Sequence, residues 1–284
     1  MSGRMLVCPL DEALLLGLRD QVLVVRVTSP GQVRPAADLA RTHNDLRAVI
    51  LDSDLPLADL PLWEDWAGIA LGLQVPGLGS FATLVRQLPL LRSLDVKVFL
   101  GADDGANLRA ARILASLQIP TVLILKGDLD WEGLDDLLHY ALYGRIPHAP
   151  IEPFQYLLDH RQPGLRVDPR GTWFEDPARY LHLDAQGRVA ATAQDLAEGR
   201  FLDWRPGEPG LDDLPAMVGH LEAWRAHFLT FGGCSGCEAW LLCQGAFAAG
   251  PGPRGPCEGV FAELLRHGEA PRREPESRRM PWPS

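Results

Sequence analysis

Short β-branched apolar runs, spaced by stretches with helical periodicity, set the pattern of the first half of the chain. Val22–Thr28 (VLVVRVT) has the composition of a buried strand. Ala48–Leu51 (AVIL), Lys97–Leu100 (KVFL) and Thr121–Leu125 (TVLIL) read the same way. Between the last two, Ala106–Gln118 repeats its apolar side chains (Leu108, Ala111, Ile113, Leu114, Ala115, Leu117) at the spacing of one helix face. Asp103 and Asp104 precede it as candidate caps. Trp131–Tyr143 reads as a further helix. Strand–helix alternation predicts an α/β fold with a parallel sheet. The units are too few for an eight-fold barrel, so the expected form is a partial (half) TIM-like barrel or an open parallel sheet.

The pattern then changes. The proline-dense stretch GRIPHAPIEPF (Gly144–Phe154) marks a boundary. Beyond it, Tyr180–Ala190 (YLHLDAQGRVA) predicts a β-hairpin turning at Asp184–Gly187. Ala216–Thr230 predicts a helix, Gly250–Pro256 (GPGPRGP) a loop, and Val260–His267 a short helix. The last residues lack apolar periodicity and read as disordered. The expected organisation is an α/β domain over 1–150, an α+β cysteine module over 151–268, and a tail over 269–284.

Composition narrows the classes of function. A net charge of −10 lacks the basic footprint of a nucleic-acid binder, and it opposes docking on anionic lipid. No apolar run reaches the ~18 residues of a membrane span. The opening apolar patch is broken by Asp11 and Glu12 and has no cleavage signature. A cytoplasmic protein is expected, where thiols stay reduced and clustered cysteines favour metal.

Four of the five cysteines fall within 24 residues: Cys234, Cys237, Cys243 and Cys257, spaced Cys-x2-Cys-x5-Cys-x13-Cys. Four thiolates complete a tetrahedral zinc site or ligate an iron–sulfur cluster. Gly232, Gly233 and Gly236 permit the tight turn that lets Cys234 and Cys237 face one centre. In one unbroken helix, Cys237 and Cys243 would stand about 9 Å apart along the axis and about 240° apart around it. The chain must therefore bend beside them, or the bound object must be larger than one ion, a demand that a cluster relaxes. Cys8 stands alone and reads as a core residue.

FGGCSGCEAWLLCQGAF (Phe231–Phe247) resembles the C-terminal SPASM module of radical SAM enzymes that modify ribosomal peptides, and ARYLHLDAQGRVAATA resembles the hairpin upstream of it. In that family the module holds two auxiliary four-iron four-sulfur clusters. The family's hairpin cysteine falls here at Thr192, and the fourth cysteine of its tight motif at Phe247. The resemblance therefore implies that one ligand set is lost and one kept, Cys234, Cys237, Cys243 and Cys257. The family's catalytic domain needs a Cys-x3-Cys-x2-Cys loop after its first strand. Here that loop reads TSPGQVRPAADL (Thr28–Leu39), without cysteine. The family's Gly-Gly-Glu-Pro stretch is reduced to LDSDLPL (Leu51–Leu57). The resemblance thus implies a non-catalytic protein with one four-iron four-sulfur cluster, or zinc as the alternative, and without S-adenosylmethionine. Its implied partner is an active radical SAM/SPASM enzyme, a ribosomal precursor peptide, or both.

Weaker groupings read as structure. GADDG (Gly101–Gly105) lies where phosphates often dock, but its two carboxylates repel an anion and suit capping. Asp52/Asp54 and Asp135/Asp136 have no evident partner base. His220 and His227 lie seven apart on one helix face ahead of Cys234, with a surface or capping role the expectation and ligation the alternative. Trp240, between the ligands, is placed to shield a cluster from water.

Overall fold

The computed structural model describes residues 4–160, 167–230, 232–243, 245 and 257–268. Nine strands are described: β1 Met5–Pro9, β2 Val22–Val27, β3 Asp45–Asp52, β4 Leu71–Gln74, β5 Val96–Gly101, β6 Thr121–Ile124, β7 Ile151–Glu152, β8 Tyr180–Leu183 and β9 Val189–Ala190. They form one open sheet in the order β7-β6-β5-β4-β3-β2-β1-β8-β9, parallel throughout except for the antiparallel β8–β9 hairpin. The α/β class and open parallel sheet expected from the alternating pattern are what the chain forms. Residues 151–190, which the sequence pattern assigns to the second unit, contribute β7, β8 and β9 to this same sheet. The 269–284 tail lies outside the described residues.

From β1 to β7 the strand order follows the chain without a reversal. Right-handed crossovers repeated in one direction put every connecting helix on the same face of such a sheet. These helices are α1 Glu12–Gly17, α2 Val33–Arg41, α3 Phe81–Ser93, α4 Gly105–Ser116 and α5 Trp131–Tyr143; α6 Phe154–His160 follows β7. The strand register separates two faces with different chemistry. One carries Leu6, Cys8, Val25, Val49, Leu51, Leu71, Leu73, Val98, Leu100, Leu123 and Leu181, all buried and apolar. The other, here the inner face, carries Arg26, Asp52, Gln74, Lys97, Phe99, Glu152 and His182 among its apolar residues.

Gly72 makes that inner face close-packed. A Cβ there would stand 2.5 Å from Ile50 Cδ1 and 2.8 Å from Phe99 Cε2. Over β5 and β6 the inner face is covered by the chain itself. A 3-10 turn, Pro169–Trp173, ends at Phe174, which adopts a left-handed backbone (φ 66°) and stacks its ring on Phe99 at 5.9 Å. The Phe174 carbonyl is 3.0 Å from His182 Nε2. The neighbouring Glu175 accepts from Lys126 Nζ at 2.9 Å.

Among the described residues, the later helices are α7 Ala193–Ala197, α8 Pro215–Thr230, α9 Gly232–Ser235, α10 Trp240–Cys243 and α11 Cys257–Gly268. Helix α11 returns to the α/β layer and packs on α5 and α6. Val260, Phe261 and Leu264 of α11 are buried. The backbone amide of Val167 bonds to the Leu241 carbonyl at 3.4 Å, tying the inner-face segment to α10.

Candidate metal centre

The bend that the cysteine spacing demands is present. Helix α9 stops at Ser235, residues 236–239 form turns, and α10 starts at Trp240. Two backbone bonds shape this corner, from the Cys237 amide to the Cys234 carbonyl (3.1 Å) and from the Trp240 amide to the Cys237 carbonyl (3.2 Å). Cys243 closes α10 and is buried, its amide donating to Ala239 at 3.1 Å. Cys257 is the first residue of α11. A helix N-terminus favours an anionic group, which suits a thiolate ligand at Cys257.

Electrostatics group three of the sulfurs. Burial pushes the Cys234 thiol above its ordinary range, and the nearby Cys257 and Cys237 sulfurs push it further the same way. Thiols that resist ionisation together are suited to a cation that accepts their charge, because metal ligation requires the thiolate. Among the described residues, no group of three or more His, Cys, Asp or Glu side chains is set in a single-ion arrangement as it stands. Four thiols are donors of the kind that soft or borderline metals take, and the segment around the turn at 236–239 and the start of α11 carry them.

The two histidines of α8 part company. His227 Nε2 lies 3.3 Å from Cys234 Sγ, and its ring stacks on Trp240 (5.9 Å between centroids, 12° between planes). Trp240 also touches Phe228, with centroids 5.1 Å apart. His220 instead turns to Asp195, with Nε2 2.8 Å from Oδ2. Burial works against the Asp195 charge, but hydrogen bonds from Thr192 and Arg200 and the adjacent cations outweigh it and hold the carboxyl below its ordinary range. His220 therefore joins α8 to α7, a structural role.

Thr192, where the resemblance places a lost cysteine, is the N-cap of α7: its Oγ1 accepts from the Asp195 amide at 3.1 Å and donates to Asp195 Oδ2 at 2.7 Å. One member of each acid pair has a structural partner as well. Asp52 binds Arg26 through both of its oxygens, with Arg26 Nε 2.8 Å from Oδ2, and Arg26 also reaches Gln74 Oε1 at 3.2 Å. Asp104 caps α4 through the Ala106 amide at 2.8 Å. The Asp135 carbonyl and carboxylate face His139 within its own helix. Cys8 is buried in β1, its thiol pushed up to about 12 by burial.

Two participants were not legible as such in the sequence. Gly245 sits against the His227 ring, and Phe174 fills the inner sheet face. Glycine at 245 carried a signal only in belonging to a glycine-rich cysteine segment. The Phe99–Phe174 contact joins residues 75 apart, beyond any local pattern.

Comparison with family models, with curated proteins and with solved structures finds no match to this chain. Among the described residues, no helix is long and apolar enough to cross a membrane.

Proposed function

We propose that the chain is a non-catalytic iron–sulfur protein of the radical SAM/SPASM kind, with Cys234, Cys237, Cys243 and Cys257 holding one four-iron four-sulfur cluster in a reduced SPASM-like module. The observation that carries this reading is the Cys234 thiol placed within electrostatic reach of both Cys237 and Cys257, from two separate segments of chain. A bound cluster supplies one-electron redox chemistry. The chain's own residues hold the ligating sulfurs, with Cys243 buried and Trp240 half-buried beside them.

The α/β layer acts as scaffold. In support, the loop at Thr28–Leu39 has no cysteine, Phe174 stacks on Phe99 within β5, and Glu175 binds Lys126 just past the carboxyl end of β6, the end of a parallel sheet at which ligands bind. On this reading the protein is an accessory subunit. It binds the active modifying enzyme or its precursor peptide, and the cluster relays electrons.

A structural zinc site is the second reading, favoured by the imidazole nitrogen beside Cys234, since nitrogen and sulfur together are common zinc donors. Anaerobic purification separates the two. Brown protein with iron and sulfide in equal amounts supports the first; colourless protein with one zinc per chain supports the second. Metal-free protein from both iron-replete and zinc-replete cells defeats both.

A further inference from the structure

We infer that His227 is a positioning residue of the centre: its Nε2–H donates a hydrogen bond to the Cys234 sulfur and sets the electron density on that ligand. This rests on the metal-centre reading above.

Three contacts fix the ring. Nε2 is 3.3 Å from Cys234 Sγ, within hydrogen-bonding range for sulfur. Trp240 lies nearly parallel to the imidazole, 12° off. Gly245 presses against it so closely that a Cβ there would stand 2.1 Å from Cδ2, 2.5 Å from Nε2 and 2.7 Å from Cγ. Gly245 also has a φ of +75°, so a side chain at 245 strains the backbone and can be placed only by displacing the imidazole. A ring held this way keeps its nitrogen aimed at one atom.

The direction of the hydrogen bond follows from the chemistry of ligation. A sulfur bound to metal has lost its proton and only accepts, so the imidazole must donate through Nε2. Hydrogen bonds to ligating sulfurs withdraw charge and make a cluster easier to reduce, one of the main ways a protein sets its potential.

The test uses the full chain loaded anaerobically with ferrous iron and sulfide, as wild type, His227→Leu, His227→Gln and Gly245→Ala. Iron and sulfide content, the midpoint potential from an EPR-monitored redox titration, and the hyperfine spectrum of ¹⁵N-histidine-labelled protein are measured. The expected result is unchanged iron content in all four. The midpoint should be lower in His227→Leu and Gly245→Ala and partly restored in His227→Gln, whose amide keeps a donor. Labelled wild type should show a weak nitrogen coupling, transmitted across a hydrogen bond, that His227→Leu lacks. If His227→Leu does not fold, the Gln variant and the labelled wild type still decide. Full loading with one midpoint for all variants overturns the inference, and so does a strong coupling from nitrogen bonded directly to iron. Wild type that takes up neither iron nor sulfide overturns the centre itself, an outcome distinct from a centre that forms and ignores His227.

Discussion

Phe261→Ala weakens the anchor of the most distant cysteine. Cys257 is the first residue of α11, and α11 is held to α5 and α6 through Val260, Phe261 and Leu264. Phe261 is 1% exposed, so truncating it removes a fully buried ring at about 3–5 kcal/mol. If that energy keeps α11 docked, the undocked population grows by about two to three and a half orders of magnitude, at about 1.4 kcal/mol per tenfold. Metal affinity falls once undocking competes with ligation, by up to that same factor. Urea unfolding of the metal-free chain reads the first effect, and competition against a chelator reads the second. Leu84→Ala in α3 is the control, a fully buried residue of a helix that carries no ligand, with a cost of about 2–5 kcal/mol. It should lower stability and leave metal affinity alone. A Phe261→Ala chain that loses the calculated stability yet binds metal within twofold of wild type would show that α11 does not deliver Cys257 to the centre.

Three further outcomes are expected. Lys97 and Glu152 pair at 3.9 Å inside the sheet, and burial pushes the lysine down and the carboxyl up. Lys97→Met should cost about 3–5 kcal/mol near pH 8, whereas Lys97→Met with Glu152→Gln should fall close to wild type or above it. Because the folded Glu152 value lies above the unfolded one, its favourable contribution is present at acid pH and lost as pH rises through the folded value; the Lys97→Met deficit should therefore shrink from pH 8 to pH 5 in urea melts. Gly72→Val should lower stability by about 1–3 kcal/mol by overpacking against Ile50 and Phe99, and an unchanged thermal midpoint would contradict the packing described. Thr192→Ala should cost about 1 kcal/mol by removing the α7 cap, measured by denaturant midpoint, with no change in metal content.

The strands legible in the sequence are those with compact apolar runs, β-branched in Val22–Val27 and more mixed in Ala48–Leu51 and Lys97–Leu100. Val22–Val27 and Thr121–Ile124 lie in the sheet interior, where both faces are covered and no polar alternation is needed. Met5–Pro9 escaped notice because Asp11, the cap of the helix that follows it, made the region look like an interrupted apolar patch. Leu71–Gln74 was hidden by Gly72, a poor strand former that is present because Ile50 and Phe99 leave no room for a side chain. Ile151–Glu152 is two residues long and exists only through pairing with β6. In the cysteine segment, the spacing asks for a bend or for a bound object larger than one ion, since helix geometry forbids Cys237 and Cys243 from sharing a face, and the chain does bend between α9 and α10. The separate fates of His220 and His227 were not legible, because their partners, Asp195 and Gly245, are set by tertiary packing.

The most direct measurement is an anomalous diffraction map at the iron edge from crystals of the anaerobically loaded chain. One compact iron centre is expected, with the sulfurs of Cys234, Cys237, Cys243 and Cys257 each about 2.3 Å from a metal atom, the usual metal–thiolate distance. A map without iron density, or one in which any of the four sulfurs points away from the metal, would contradict it.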